Sequence, residues 1–256
     1  MAMESVARAR VESYLKNRPN YPRKLIDFLY NDCGFSWESV IADIGSGTGV
    51  FTRLLLEKGS RVVAIEPNRE MRETAERILC DEFPRFVSLC ATAENTTLSD
   101  ASIHHIVCAQ SFHRFDMKRC KEEFKRILKP GGSIVLIWNR RIIEADDFSS
   151  EYEALIKRYS KDYDKGNDRK FTESDYADFF GSASYSVLSL PNQQSLDLEG
   201  LKGRMLSGSY IPAHGEEGHI QLMEELEILF ELYNEAGKVT MKYETEAYAW
   251  NLNRAG

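Results

Sequence analysis

Three groups of residues have the types and spacing to do chemistry. In "IADIGSGTGV", Gly45, Gly47 and Gly49 stand at alternate positions behind an apolar run carrying one acid, Asp43. Glycine lets a ligand approach the main chain with no Cβ in the way, so these three read as a floor under a nucleotide-like molecule. Glu66, in "RVVAIEPN", follows 21 positions after Gly45, close to the spacing at which an acid reaches ribose hydroxyls. The third group, "AQSFHRF", holds Gln110, Ser111, Phe112, His113 and Arg114. His113 is a candidate general base there, since imidazole titrates near neutrality; hydrogen bonding at a helix end and packing beside a ligand are its other uses.

The glycine spacing also excludes two ligands. Val50 stands where the dinucleotide fingerprint takes Gly or Ala, and no GKS or GKT follows as a phosphate loop requires, so neither NAD nor ATP is implied.

These residues need a scaffold, and periodicity supplies one. Strands are predicted at Val40 to Ile44, Arg61 to Ile65, Phe86 to Ala91, Ile103 to Ala109 and Ser133 to Trp138, and helices at Val50 to Lys58, Arg69 to Leu79 and Lys118 to Leu128, the last ended by "KPGG". Alternating strands and helices imply an open α/β sheet, mostly parallel and doubly wound. Such a turn from strand to helix is expected to leave free backbone N–H groups at the carboxyl edge of the sheet, where the end of the fourth strand also lies. After Trp138 the alternation breaks into helices at Asp147 to Tyr163 and Thr172 to Phe180, which read as an inserted helical cap. A strand near Tyr185 to Leu190, a helix from Glu216 to Asn234 and the alternating "KVTMKYETEAYAWNL" complete the chain, the last suited to an antiparallel strand.

Composition narrows the partners. A net charge of -7 argues against a nucleic-acid binder with a broad basic surface, and small molecules become the expected partners. The five cysteines never form CxxC, so neither a disulfide framework nor a metal site is implied, and most are expected in the core of a protein kept reducing. No signal-peptide apolar region and no membrane span is read, making the cytoplasm the expected location; the oligomeric state stays open.

"DIGSGTG", "AIEPNREM", "ATAENTTL" and "LKPGG" followed by a strand, in that order over roughly residues 38 to 140, resemble the motifs of class I S-adenosylmethionine-dependent methyltransferases. The resemblance implies a Rossmann-like seven-stranded sheet with a reversed last strand, and S-adenosylmethionine as cofactor. It implies that Asp43, Gly45, Ser46, Gly47 and Gly49 line the methionine and ribose part and that Glu66 takes the ribose hydroxyls. Pro67, Asn68 and Met71, with Thr92, Ala93 and Glu94, would border the adenine, and Gln110 and Ser111 the transferred methyl.

"YLKNRPNYP", "AQSFHRFD", "IWNRR" and "GRMLSGSYIP" narrow the resemblance to small-molecule enzymes of the trans-aconitate, or methyltransferase type 11, kind; Arg114 stands where that subgroup commonly has Trp. Related enzymes fold an N-terminal segment over the cofactor, which implicates Tyr14 and Arg18, the latter as a two-pronged partner for the methionine carboxylate. Tyr21, Phe112, Arg114, Trp138 and Arg140 are the candidate acceptor residues. Guanidiniums at Arg114, Arg140, Arg141 and Arg204 would favour a carboxylate-bearing acceptor. The expected organisation is one domain over 1–256: a covering segment 1–37, a core 38–138, a cap from 139–182 and 197–236, and last strands at 183–196 and 237–252. A protein that binds the cofactor without turnover is the alternative.

Overall fold

The structure, a computed structural model, describes residues 17–161, 171–181, 185–208 and 210–251. Its strands are β1 Val40–Ile44, β2 Arg61–Ile65, β3 Phe86–Leu89, β4 Ile103–Ala109, β5 Leu128–Arg141, β6 Ser186–Leu196 and β7 Val239–Asn251. They form one seven-stranded sheet in the order β3-β2-β1-β4-β5-β7-β6, in which β1 pairs parallel with β2 and β4, β2 with β3, and β4 with β5. The last strand is reversed, as the resemblance implied.

The helices are α1 Arg23–Asn31, α2 Val50–Glu57, α3 Arg69–Leu79, α4 Met117–Ile127, α5 Asp147–Tyr159, α6 Glu173–Phe180, α7 Leu198–Leu206 and α8 His219–Tyr233. Helix starts follow local chemistry: the Asn68 side chain accepts from the Met71 amide at α3, and Asp116 accepts from the Lys118 and Arg119 amides at α4.

By contacts the chain divides into two compact units. The described residues of Tyr21–Asn139, Arg169–Leu190 and Thr245–Gly256 form a sheet unit, and those of Met1–Asn20, Arg140–Asp168 and Pro191–Glu244 a helical unit. In the sheet unit, strand residues alternate between faces. Ala42, Ile44, Ile106, Cys108 and Leu136 enter one core cluster, while Ile41, Val107, Val135 and Ile137 enter the other. Both faces are apolar, which is why the parallel strands read as nearly continuous hydrophobic runs. The helical unit packs Tyr152 and Ile156 of α5, Leu201 and Met205 of α7, and Leu222, Leu226 and Phe230 of α8 around Val239, Met241 and Tyr243.

Several elements differ from the sequence reading, among them helix α1, which has no counterpart there, and strand β6, which runs on to Leu196. Helix α6, expected in the cap, belongs to the sheet unit, where Tyr176 stacks on Tyr248 at 4.0 Å and Phe179 meets Phe112 edge-on at 4.6 Å. Its aromatic rings find their burial against the sheet. Strand β5 starts before Ser133 and takes in "KPGG", with a shifted register opposite Ile103 and His105. Helix α7 falls in the segment 197–236 expected in the helical cap, but periodicity does not delimit it, because Gly200 and Gly203 weaken the pattern. Tyr163 lies outside the described residues. All five cysteines are free; Cys33, Cys108 and Cys120 are buried, and Cys80 and Cys90 exposed. Among the described residues no helix is long and apolar enough to cross a membrane.

Candidate functional site

Strand β1 lies between β2 and β4, so the connection after β1 runs toward one edge of the sheet and that after β4 toward the other, and the crevice outside such carboxyl ends is where open α/β sheets hold ligands. The glycine loop starts there, and four of its amides are bonded within the protein. The Gly45 and Ser46 N–H groups donate to the Ile65 carbonyl at 2.8 and 3.2 Å, Gly49 N–H donates to Ser46 O at 3.0 Å, and Gly47 N–H donates to Glu66 Oε2 at 2.9 Å. The expectation of open donors does not hold for these four amides. A pyrophosphate cradle presents a run of unpaired N–H groups to its anion, and here the three glycine amides and that of Ser46 are already paired.

Gly45 and Gly47 are glycine for different reasons. Both have positive φ, +69° and +56°. A Cβ on Gly45 would stand 2.5 Å from Ser111 Cβ, whereas one on Gly47 would meet only Met71 Sδ at 3.8 Å. Gly45 therefore makes room for the protein, and Gly47 leaves a bare face beside Met71. Gly49 caps α2.

Glu66, at the end of β2, is 8% exposed and accepts from Gly47 N–H and, at 2.8 Å, from Asn68 N–H. Each carboxylate oxygen keeps a further lone pair, so the group that holds the loop can also accept two hydroxyls. Asp43 is buried; Thr52 donates to its Oδ2 at 2.6 Å, and neither its Oδ1 nor the buried Thr48 Oγ1 has a protein partner. Burial pushes the Asp43 carboxyl up to about 7, the Thr52 bond opposing and the Glu66 charge adding to the rise. A bare glycine face, an acid with spare acceptors at ribose distance in sequence and two unsatisfied buried oxygens fit a nucleoside carrying no phosphates.

On the adenine side, Asn68 is spent as the cap of α3, Pro67 is exposed and Met71 half-buried. Thr92 is exposed and Ala93 buried. Glu94 accepts from the Asp116 amide at 3.0 Å, tethering its loop to the start of α4. Burial would raise the Glu94 carboxyl, but hydrogen bonds from Asp116, its own amide and Thr92, with Arg119 nearby, hold it below the ordinary carboxylate value.

At the end of β4, Gln110 takes the left-handed conformation at φ +57°, rare for a residue with a Cβ and a sign of local strain. Its amide nitrogen Nε2 donates to Asn139 O at 3.1 Å, and Asn139 Oδ1 accepts from Thr245. Asn139 went unread in the sequence; only its place after "IW", at a strand's carboxyl end, marks it. Ser111 Oγ donates to Ile44 O at 2.7 Å. Phe112, expected to face the acceptor, is fully buried against Phe171 and Phe179, and Trp138 is 1% exposed in the same cluster. His113 is half-buried, its ring 5.7 Å from that of Trp138, and exposed Arg114 donates to His113 Nε2 at 3.3 Å.

Tyr21 packs edge-on against Phe51 at 4.9 Å. Tyr14 lies outside the described residues. Arg18 and Arg140 fall in the helical unit, where Arg18 donates to the Ser207 carbonyl at 3.4 Å.

A methyltransferase-domain family model matches residues 42–136, the span that holds the loop, Glu66 and the β4 segment. Residues 42–136 thus match a methyltransferase domain. It is 37% identical over 131 residues to an uncharacterized methyltransferase of Mycobacterium tuberculosis, a match covering 51% of this chain and 51% of that protein. The chain thus spans about half the length of the mycobacterial methyltransferases it matches. An uncharacterized methyltransferase-like protein of Schizosaccharomyces pombe is 28% identical over 247 residues, covering 93% of this chain and 92% of the other. In fold the chain is similar to a candidate type II methyltransferase of Anaeromyxobacter dehalogenans, with a TM-score of 0.65 at 21% identity over 92% of this chain and 98% of that one.

Proposed function

We propose that the protein transfers the methyl group of S-adenosylmethionine to a small molecule bearing a carboxylate. The observation that carries the donor assignment is Glu66, whose carboxylate grips the Gly47 and Asn68 amides at the ligand edge of β2 while keeping acceptor capacity for a ribose. The acidic chain and the buried arginine of the helical unit support a small acidic acceptor over a polyanion.

When bound, the cofactor supplies an electrophilic methyl on a sulfonium, open to in-line displacement. The protein's task is alignment and exclusion of water. Glu66 would orient the ribose through its spare lone pairs. Asp43 Oδ1 and Thr48 Oγ1 would satisfy donors of the ligand or of a bridging water. Gln110, pinned to Asn139, and Ser111, pinned to Ile44, would fix the wall at the end of β4. His113 would hold the acceptor or take its proton.

Calorimetric titration with S-adenosylmethionine, S-adenosylhomocysteine, NAD and NADP tests the donor. The two sulfur compounds should bind and the nicotinamides should not, with Glu66→Ala weakening the former at least about tenfold, as expected for loss of a charge-assisted acceptor. Binding of nicotinamides alone would sink the assignment. For an identified acceptor, His113→Gln should lower turnover by about 10²-fold or more and remove the acidic limb of the pH profile if His113 takes the proton. Unchanged turnover with an unchanged profile would leave it a positioning role at most.

A further inference from the structure

Among its described residues the helical unit contains a buried cation with no acid to balance it. Arg204, on α7, is only 9% exposed. Its Nε donates to the Tyr243 hydroxyl at 3.3 Å and its Nη1 to Ser207 Oγ at 3.4 Å, both long for a guanidinium. Among the described residues no carboxylate lies within ion-pair distance of it, and the groups facing it are the phenols of Tyr243, Tyr152 and Tyr210. The nearby acid is already engaged: Glu153, on α5, pairs with Arg141 at 2.5 Å, and the Arg141 guanidinium lies 5.2 Å from the centre of the Tyr152 ring. A further guanidinium, Arg18, reaches the Ser207 carbonyl.

Neutral phenols cannot cancel that charge. Burial pushes the Tyr152 hydroxyl up to about 12 even though Arg204 and Arg141 pull it down, so it stays protonated. A buried arginine normally has a carboxylate or phosphate partner, because a guanidinium taken from water without one is strongly disfavoured. An anion brought to Arg204 would complete the pair, with phenolic and seryl hydroxyls as additional donors, and with Arg141 and Glu153 cancelling each other.

We propose that the helical unit carries a binding site for a small organic carboxylate, with Arg204 as its anchor. The planar guanidinium matches a carboxylate's two oxygens, and the surrounding phenol rings favour a carbon-rich body over a bare inorganic ion. Assigning this carboxylate to the methyl acceptor rests on the function proposed above; the site itself does not.

The test is thermal melting of the full chain with paired probes: succinate, glutarate and phenylacetate against their amides, with inorganic phosphate alongside. The acids should raise the melting temperature of the wild type and the amides should not. Arg204→Met should weaken binding of the acids at least about tenfold, melt no lower than the wild type without ligand because it removes an unbalanced buried charge, and bind S-adenosylhomocysteine as before. Tyr152→Phe, which removes only a hydroxyl, should weaken acid binding by less and serves if Arg204→Met does not fold. Equal protection of wild type and variants, equal protection by acids and amides, no protection by any acid, or phosphate acting as well as the acids would overturn the proposal. Failure of S-adenosylhomocysteine to bind the wild type would instead overturn the cofactor assignment and leave Arg204 to be judged by the acids.

Discussion

Gly45→Ala is expected to destabilise the protein by about 2–5 kcal/mol, while Gly47→Ala costs about 1–2 kcal/mol yet weakens cofactor binding severely. Each change puts a Cβ on a left-handed residue, at φ +69° and +56°, which alone costs about 1–2 kcal/mol. At Gly45 the new atom also falls 2.5 Å from Ser111 Cβ and 2.9 Å from Phe115 Cζ, so β4's end must move and the Ser111 bond to Ile44 is strained or lost. At Gly47 the only neighbour is Met71 Sδ at 3.8 Å, and the methyl projects where a ligand would lie. Urea denaturation and S-adenosylhomocysteine titration of both variants separate the two roles. Equal destabilisation, or undiminished affinity in Gly47→Ala, would refute the division.

The second large effect is a hidden pH dependence. Asp43 is raised by burial from 3.8 to about 7, so the stability linked to its proton is fully present below about 3.8 and lost as pH rises through about 7. His105, buried on the neighbouring strand β4 against Phe35 and Ser133, is lowered by burial from 6.5 to about 4. As a buried neutral base it contributes stability above about 6.5 that is lost as pH falls through about 4. The two slopes have opposite sign over nearly the same window and offset one another in the wild type. Asp43→Asn should therefore uncover the His105 term, stability rising by up to about 3 kcal/mol between pH 4 and 6.5 and then levelling. His105→Phe should uncover the Asp43 term, stability falling by up to about 4 kcal/mol between pH 4 and 7. Urea midpoints at four pH values read both slopes, and variants whose curves run parallel to the wild type would contradict the linkage.

Much of this was legible before any coordinates. The strands β1, β2 and β4 and the helix α3 lie where periodicity put them, because both faces of the sheet are covered and every strand residue answers to the same apolar demand. Strand β7 shows the other pattern, burying Val239, Met241, Tyr243 and Thr245 at alternate positions. What sequence spacing could not reveal was occupancy. "GSGTG" shows that side chains are absent, but not that Ile65 and Glu66 already hold three of its amides. "FH" marks a segment beside the ligand edge, but Phe112 goes inward because Phe171 and Phe179, more than fifty positions away, arrive to cover it. Arg204 stood out in the sequence only as one of four arginines able to favour a carboxylate; its isolation depends on Glu153 being claimed by Arg141, a contact no local pattern encodes.

The closed hydrogen bonding of the glycine loop bears on kinetics. A turn whose four amides are already bonded within the protein has nothing to rearrange when a ligand arrives, so little conformational entropy is lost on binding. Association should run at the rate of diffusion into an open crevice, with a single kinetic phase. Differences in affinity among ligands, and among variants of Glu66 or Met71, should then appear as differences in residence time.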